Sequence, residues 1–141
     1  MRFRVLMIPG DKKAEAGVLP DEKLIAAMMK YNEELAKAGV LLALDGLHPS
    51  SKGARIRFAG GKRTVTDGPF TEAKEVIGGY WLWQVKSKEE AIEWAKRCPG
   101  SDNEVIEIRQ VHEFADFPAE VQEAAHGEPA LREQLKQRQG S

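Results

Sequence analysis

One histidine and one aspartate stand where acid–base chemistry is possible. His48 lies in the segment LHPS, just past the end of a strand-like run, where a loop can present a polar group to a cleft. A neutral imidazole there could accept or donate a proton near pH 7, because its ordinary pKa is about 6.5. Asp67 opens the turn DGPF and would orient the imidazole if the intervening hairpin brings the two loops together. These two residues are our candidate catalytic pair.

Both residues also have a purely structural interpretation. A histidine beside a proline in a loop is commonly exposed to solvent and bound to nothing. An aspartate at the start of a turn bonds to its own downstream backbone, while Gly68 supplies unusual dihedral angles and Pro69 fixes the exit. The residues alone therefore leave open whether TDGPFTEAKE (66–75) is only a turn or also one wall of a cleft.

Four further residues are candidates for ligand binding: Phe70, Glu72, Lys74 and Arg109. Phe70 could cover a cleft or simply pack, and packing is the commoner role. Glu72 and Lys74 could contact an acidic or hydroxylated ligand or another subunit, or be solvated loop charges. Arg109 shares a strand face with Glu107, so it forms either an exposed ion pair of little energetic value or a bidentate contact to a ligand carboxylate.

The composition excludes several classes of protein. The 141 residues are a single-domain length, with 42% hydrophobic and 30% charged residues, as in ordinary globular proteins. Lys and Arg number 21 against 22 Asp and Glu, which argues against a nucleic-acid binder because such proteins usually carry a basic excess. No apolar run approaches the roughly 20 residues that span a membrane. The lone Cys98 excludes an internal disulfide and fits the reducing cytoplasm, where we expect the protein.

The sequence also predicts no cofactor and no metal. It contains no phosphate-binding loop and no dinucleotide-binding fingerprint. His112, Glu113 and His126 have the wrong spacing for a metal site on a helix or a strand pair. Cys98, near a predicted helix end, lacks the positive surroundings that activate a thiol, so we interpret it as a packing residue.

Periodicity and turn residues predict the elements that must position these side chains. Strand alternation covers 2–8, 40–47, 75–85 and 103–111, with a hairpin of 55–58 and 63–66 turning at Gly60-Gly61. A first helix is expected over 21–38, before Gly39, and a second follows the Ser87 and Glu90 capping box and stops at Pro99. The domain occupies 1–112, and 113–141 is expected to form a tail with short helices at 118–126 and 129–138.

This order predicts an α+β fold with a ferredoxin-like antiparallel sheet and helices on one face. The strand 75–85 is apolar on both faces, so both faces need to be covered. Since the helices of one subunit cover only one face, we expect a homodimer in which a second subunit covers the other, burying either Trp81 and Trp83 or Tyr80 at the interface.

Three segments then carry a family resemblance. VTDGPFTEAKEVIGGYWLWQV, with EEAIEWAKRCPG and VIEIRQV after it, resembles the YCII-related family in the branch named for its DGPFAETKE motif. LAKAGVLLALDGLHPS resembles the branch's segment between the first helix and the hairpin. The resemblance covers roughly 1–112. Thr71 and Ala73 stand where the branch motif has Ala and Thr, a pair of small-residue exchanges.

The resemblance implies a dimeric α+β barrel built from two ferredoxin-like subunits. Within the wider family it implies acid–base work by a His–Asp pair in a cleft, here His48 and Asp67, on a small aromatic or carbonyl substrate. The branch accepts Gln at the position of His48, which favours hydrogen bonding there over obligatory proton transfer. The alternative function is a non-catalytic module that binds a ligand or a partner and is associated with stress or sigma-factor signalling.

Overall fold

A computed structural model describes residues 1–70 and 76–140. It divides the chain into two compact units, Met1–Gln110 and Val111–Ser141. Among the helices of the described residues, none combines the length and the apolar character that crossing a membrane requires.

The first unit contains a four-stranded antiparallel sheet and two helices. Its elements are β1 (Arg2–Ile8), α1 (Glu22–Lys37), β2 (Leu41–Gly46), β3 (Ala54–Ala59), β4 (Lys62–Asp67), β5 (Gly79–Gln84), α2 (Lys88–Lys96) and β6 (Val105–Gln110). The strand order of the main sheet is β2-β5-β1-β6, and β3 pairs with β4 in a separate two-stranded sheet. This arrangement confirms the predicted ferredoxin-like fold, with the hairpin inserted between β2 and β5.

Local signals in the sequence set the ends of the two helices. Asp21 caps α1 by accepting a hydrogen bond of 2.8 Å from the Leu24 N–H. Gly39, at φ +74°, follows the last turn of α1 in the left-handed region that favours glycine. Ser87 caps α2 through the Glu90 N–H, but the Glu90 carboxylate accepts from the Lys86 N–H, one residue before the position that the capping box predicts.

The core lies between the two helices and one face of the sheet. Phe3, Val5, Trp81 and Trp83 are buried there against residues of α1 and α2, together with Tyr31, Leu35, Val40, Val85 and Ala91. Trp81 and Trp83 are therefore core residues, while Tyr80 lies on the opposite side of β5. Strand β5 is shorter than predicted, because it begins at Gly79 and the 36%-exposed Ile77 precedes it.

The other side of the sheet, which we call the second face, carries neither of the two described helices of the first unit, α1 and α2. Its side chains alternate with those of the core along each strand: Ala43, Asp45, Arg4, Leu6, Tyr80, Leu82, Glu107 and Arg109. Arg4, Leu6, Tyr80 and Leu82 are half-buried, whereas Glu107 and Arg109 are exposed. The second face is thus a mixture of apolar and charged groups rather than a continuation of the core.

The β3–β4 hairpin is exposed along its whole length. Ile56 pairs with Val65 and Phe58 with Arg63, so one of its faces is largely apolar. Gly60 and Gly61 form the tip with φ values of +57° and +76°, as a tight hairpin turn requires.

The second unit consists of short helices. A single turn at Phe114–Asp116 precedes α3 (Ala119–Ala124) and α4 (Glu128–Gln139). The Gln122 side chain donates to the Phe117 carbonyl at 2.8 Å, and Arg132 pairs with Glu128 at 2.7 Å. Leu131 and Leu135 are about half exposed on α4.

Candidate functional site

The segment LHPS (47–50), which we call the histidine loop, and the DGPF turn (67–70) lie at the two ends of the inserted hairpin. Beyond β2, the Leu47 N–H bonds to the Gly78 carbonyl at 2.9 Å, which extends the pairing of β2 with the β5 side. His48 and Pro49 then lead into a short 3-10 turn at Ser50–Lys52. At the far end of the hairpin, the Gly68 N–H bonds to the Gly53 carbonyl at 3.0 Å. The loop and the turn are therefore neighbours.

Ser50 joins three segments of the chain. Its backbone N–H donates to Glu15 Oε1 at 2.8 Å, and its hydroxyl donates to Glu15 Oε2. The same hydroxyl accepts a hydrogen bond of 2.9 Å from the Phe70 N–H. Ser50 is only 9% exposed, so these partners replace water around a buried polar group. The histidine loop, the DGPF turn and the segment around Glu15 are thus fixed to one another.

The close approach of Gly68 to Ser50 explains why glycine stands in the turn. A Cβ added at residue 68 would overlap the Ser50 carbonyl group. The Gly68–Pro69 peptide bond is cis. The next residue, Phe70, is half-buried, and the Arg55 guanidinium lies 3.8 Å from its ring centroid. Phe70 is therefore a packing residue in the described structure, tied by its backbone to Ser50 and by its ring to β3.

The structure brings the loops of His48 and Asp67 together but does not join their side chains. Both residues are exposed. Within residues 1–70 and 76–140, the imidazole and the carboxylate form no hydrogen bond to each other. The catalytic pair therefore stays a prediction, as does the ligand-binding role of Phe70.

Two other predicted ligand-binding residues, Glu72 and Lys74, lie outside the described residues. The last of the four predicted ligand-binding residues, Arg109, is on the second face, and its guanidinium is 3.6 Å from the Glu107 carboxylate. Arg109 is 72% exposed and Glu107 46%, so the pair contributes little to stability.

Sequence reasoning missed Glu15 and Ser50, which organise the site. Ser50 was available as a polar residue beside His48, but nothing in its neighbours indicates that it is buried. Glu15 lies in a charged loop 35 residues away, with no periodicity that relates it to Ser50.

A second polar cluster occupies the second face. The Tyr80 hydroxyl donates to Asp45 Oδ2 at 2.7 Å, and the Arg4 guanidinium lies 4.9 Å from the Tyr80 ring centroid. The hydrogen bond to Asp45 raises the pKa of the Tyr80 phenol, because ionisation would remove the proton that the phenol donates; repulsion by the Asp45 charge adds to the shift as a smaller cause. Tyr80 is therefore a neutral hydrogen-bond donor at ordinary pH. Sequence reasoning gave Tyr80 as one of two alternatives for a dimer interface, the other being Trp81 and Trp83, and did not connect it with Asp45 or Arg4.

The remaining reactive group is Cys98, which packs at the edge of the core. Burial, with the Glu104 carboxylate as a smaller cause, raises the pKa of its thiol to about 11. The thiol is therefore protonated near pH 7. In the described part of the chain, no three His, Cys, Asp or Glu side chains are grouped to hold a metal ion.

Comparison with known proteins places these features in a family context. The sequence pattern of the YCII-related domain matches residues 1–115. An uncharacterized protein of Rhizobium meliloti (strain 1021) is 32% identical over 76 residues, which is 54% of this chain. The match spans 61% of that relative, so it covers less than two thirds of its length.

Proposed function

Since this chain belongs to the YCII-related family, we propose that it is a small cytoplasmic homodimer of the DGPF branch that binds a small molecule beside the DGPF turn. In this proposal His48 acts as general acid or base, Asp67 orients it, and the substrate is a small aromatic or carbonyl compound. The observation that supports the proposal is the set of hydrogen bonds that Ser50 makes with Glu15 and Phe70, which we call the Ser50 junction. The buried Ser50 hydroxyl accepts a hydrogen bond of 2.9 Å from the Phe70 N–H, which holds the loop of His48 against the turn that Asp67 opens, and the Ser50 backbone N–H bonds to Glu15 at 2.8 Å.

His48 and Asp67 are both exposed to solvent, and this exposure affects both proton transfer and ligand binding at the proposed site. An exposed imidazole exchanges protons readily with solvent, and binding of a ligand would bring the two side chains within hydrogen-bonding range. Catalytic hydrogen bonds often tighten only when substrate is bound. Neither proton transfer nor substrate positioning by these residues requires a cofactor.

The test is ligand-observed NMR of a metabolite library against the wild-type protein, His48→Gln and Asp67→Asn. Compounds that bind are then assayed for turnover. Turnover that both substitutions lower by about 100-fold or more, within the range of general acid–base catalysis, supports the enzyme. Binding and turnover that survive both substitutions would contradict it. Lys52→Gln, an exposed change in the adjacent turn, is the control for loss of charge alone.

The homodimer is proposed from the second face. Leu6 and Leu82 are half-buried there without a helix of the first unit above them, and a second copy would complete their burial. Sedimentation equilibrium gives the test, since one chain has a mass of 15.7 kDa. We expect twice that mass at micromolar concentration and a single-chain mass for Leu6→Glu. A single-chain mass for the wild type would contradict the proposal.

The second candidate is a non-catalytic module that binds a ligand or partner in stress or sigma-factor signalling. The absence of a bond between His48 and Asp67 in the described residues favours it, because a catalytic base is usually held by an orienting partner. Binding that persists in His48→Gln, with no product under any condition, would select this function.

A further inference from the structure

We propose that the β3–β4 hairpin is a docking element for an anionic lipid surface. Its apolar face would lie against the bilayer interface, and its cations would contact the phosphate groups of the lipids. The inference concerns attachment to the surface of a membrane, not passage across one. It does not depend on the proposed acid–base pair.

One face of the hairpin presents large apolar side chains to solvent. Ile56 and Val65 are direct cross-strand partners and are 59% and 65% exposed. Phe58, on the same face, is 69% exposed, and the Arg63 guanidinium lies 5.0 Å from its ring centroid. A ribbon of only two strands is marginally stable in water unless its apolar side is packed against something. A contact that buries this face would therefore stabilise the hairpin.

The hairpin also concentrates positive charge. Over 54–67 the single acid, Asp67, is outnumbered by four cations, Arg55, Arg57, Lys62 and Arg63. The formal charge of this segment is thus +3, and because the whole chain carries −1, the remainder carries −4. Among the described residues, no carboxylate lies within ion-pair range of any of these four cations. The balanced overall composition therefore hides a separation of charge between the hairpin and the rest of the chain.

The narrow width of the hairpin lets the apolar face and the cations act on one surface. Arg55, Arg57 and Lys62 alternate with the apolar residues and so leave from the opposite face. Because the hairpin has only two strands, each of these residues lies on an outer edge. Long Arg and Lys side chains extend past such an edge and place their charged ends at the level of the lipid headgroups. Arg55 stacks on Phe70 at 3.8 Å, which leaves Arg57 and Lys62 as the main contacts.

These features favour a lipid surface over another macromolecule. A nucleic acid would pair with the cations but would leave the aliphatic side chains of Ile56 and Val65 in water. A second hairpin of the same sequence would bring like charges together. The fluid interface of a bilayer accepts an apolar face together with cations and needs no groove of matching shape. Because the rest of the chain is negative, an anionic surface would attract the hairpin and repel the remainder, which orients the molecule.

The test is co-sedimentation of the full chain with vesicles of phosphatidylglycerol and phosphatidylcholine in equal amounts, compared with vesicles of phosphatidylcholine alone. Phe58→Ser removes apolar surface, and Arg57→Gln and Lys62→Gln each remove one charge. The matched controls lie outside the hairpin: Leu19→Ser at a residue that is 82% exposed, and Lys30→Gln at an exposed position of α1. All five positions are exposed, so the variants should fold, which amide NMR spectra check.

We expect binding to the anionic vesicles and at least about tenfold weaker binding to phosphatidylcholine alone. Phe58→Ser, Arg57→Gln and Lys62→Gln should each weaken binding by about fivefold, while both controls stay within about twofold. Increasing salt should weaken the binding of the wild type.

Equal binding to the two kinds of vesicle, no binding to either, or unchanged binding of Phe58→Ser would overturn the proposal. Binding of single-stranded DNA that needs the same cations but not Phe58, with no binding to vesicles, would assign the hairpin to nucleic acid instead. A sedimentation mass that Phe58→Ser lowers from two chains to one would assign the apolar face to the second subunit, and would overturn the lipid contact as well.

Discussion

Gly68 lies so close to Ser50 that a side chain at residue 68 would occupy the space of the Ser50 carbonyl group. The two residues are 18 positions apart and stand at opposite ends of the hairpin insert. Their contact sets the distance between the histidine loop and the DGPF turn. It also means that the glycine of the turn is required by tertiary packing, not only by the local turn.

Replacing this glycine should therefore destabilise the protein. We expect Gly68→Ala to lower the free energy of unfolding by about 2–4 kcal/mol, because the added methyl group must displace backbone atoms. Urea denaturation measures the change. Gly46→Ala is the control, since a Cβ at residue 46 meets no atom of residues 1–70 or 76–140 within 4 Å, and it should alter stability by less than about 0.5 kcal/mol. Equal effects of the two substitutions would show that the contact is easily relieved.

The Ser50 and Glu15 side chains should behave as a coupled pair. Ser50→Ala removes the donor to Glu15 and the acceptor of the Phe70 N–H, at a cost of about 1–3 kcal/mol. Glu15→Gln weakens the same network. A double-mutant cycle should give a coupling energy of about 1 kcal/mol, measured by urea denaturation. Ser51→Ala, at the exposed next position, is the control; strictly additive effects of the Ser50 and Glu15 changes would argue against the junction.

The two buried tryptophans should respond differently to the same substitution. Trp81 donates to Asn32 Oδ1 at 2.8 Å, whereas the buried Trp83 N–H has no acceptor in the described residues. Both changes to Phe remove similar volume, but only Trp81→Phe breaks a hydrogen bond. We expect Trp81→Phe to cost about 1–2 kcal/mol more than Trp83→Phe in thermal or urea unfolding. The reverse order would indicate that the Trp83 N–H is satisfied in solution.

The Cys98 thiol should react slowly in the folded protein. Its pKa is raised from 9.0 to about 11, so at pH 8 the proton is retained and the reactive thiolate is about 100-fold scarcer than in the unfolded chain. The rate of reaction with a disulfide reagent should rise about tenfold per pH unit from pH 8 to 10, and unfolding in urea should abolish the protection. A native rate within tenfold of the unfolded rate at pH 8 would contradict the buried setting.

Much of the fold could be predicted because its signals are local. Helix α1 begins and ends within one residue of the predicted bounds, 21–38. Asp21 and Gly39 made these ends predictable because a cap acts on backbone groups only a few positions away. The alternation of β1 and β6 likewise identified the strands. The start of β5 was misplaced because Val76 and Ile77 continue the apolar run although pairing with β1 begins at Gly79.

The sites were harder to predict because they depend on contacts between distant residues. The junction of Ser50 with Glu15 depends on how a loop folds back over 35 positions, which no periodicity encodes. The contact of Tyr80 with Asp45 depends on strand register, which one residue of slippage would change entirely. The resemblance to a family directed attention to His48 and Asp67 but carried no information on either contact.

The closed base of the hairpin has a practical consequence for protein engineering. Hydrogen bonds from the Gly68 N–H to the Gly53 carbonyl and from the Phe70 N–H to the Ser50 hydroxyl hold the two ends of the hairpin together. Strands β3 and β4 therefore extend from a fixed base. Among the described residues, no atom lies within 4 Å of a Cβ placed at Gly60 or Gly61. The tip is therefore a permissive insertion point for a peptide tag, a fluorophore-bearing loop or new chain termini, with the four-stranded sheet left undisturbed.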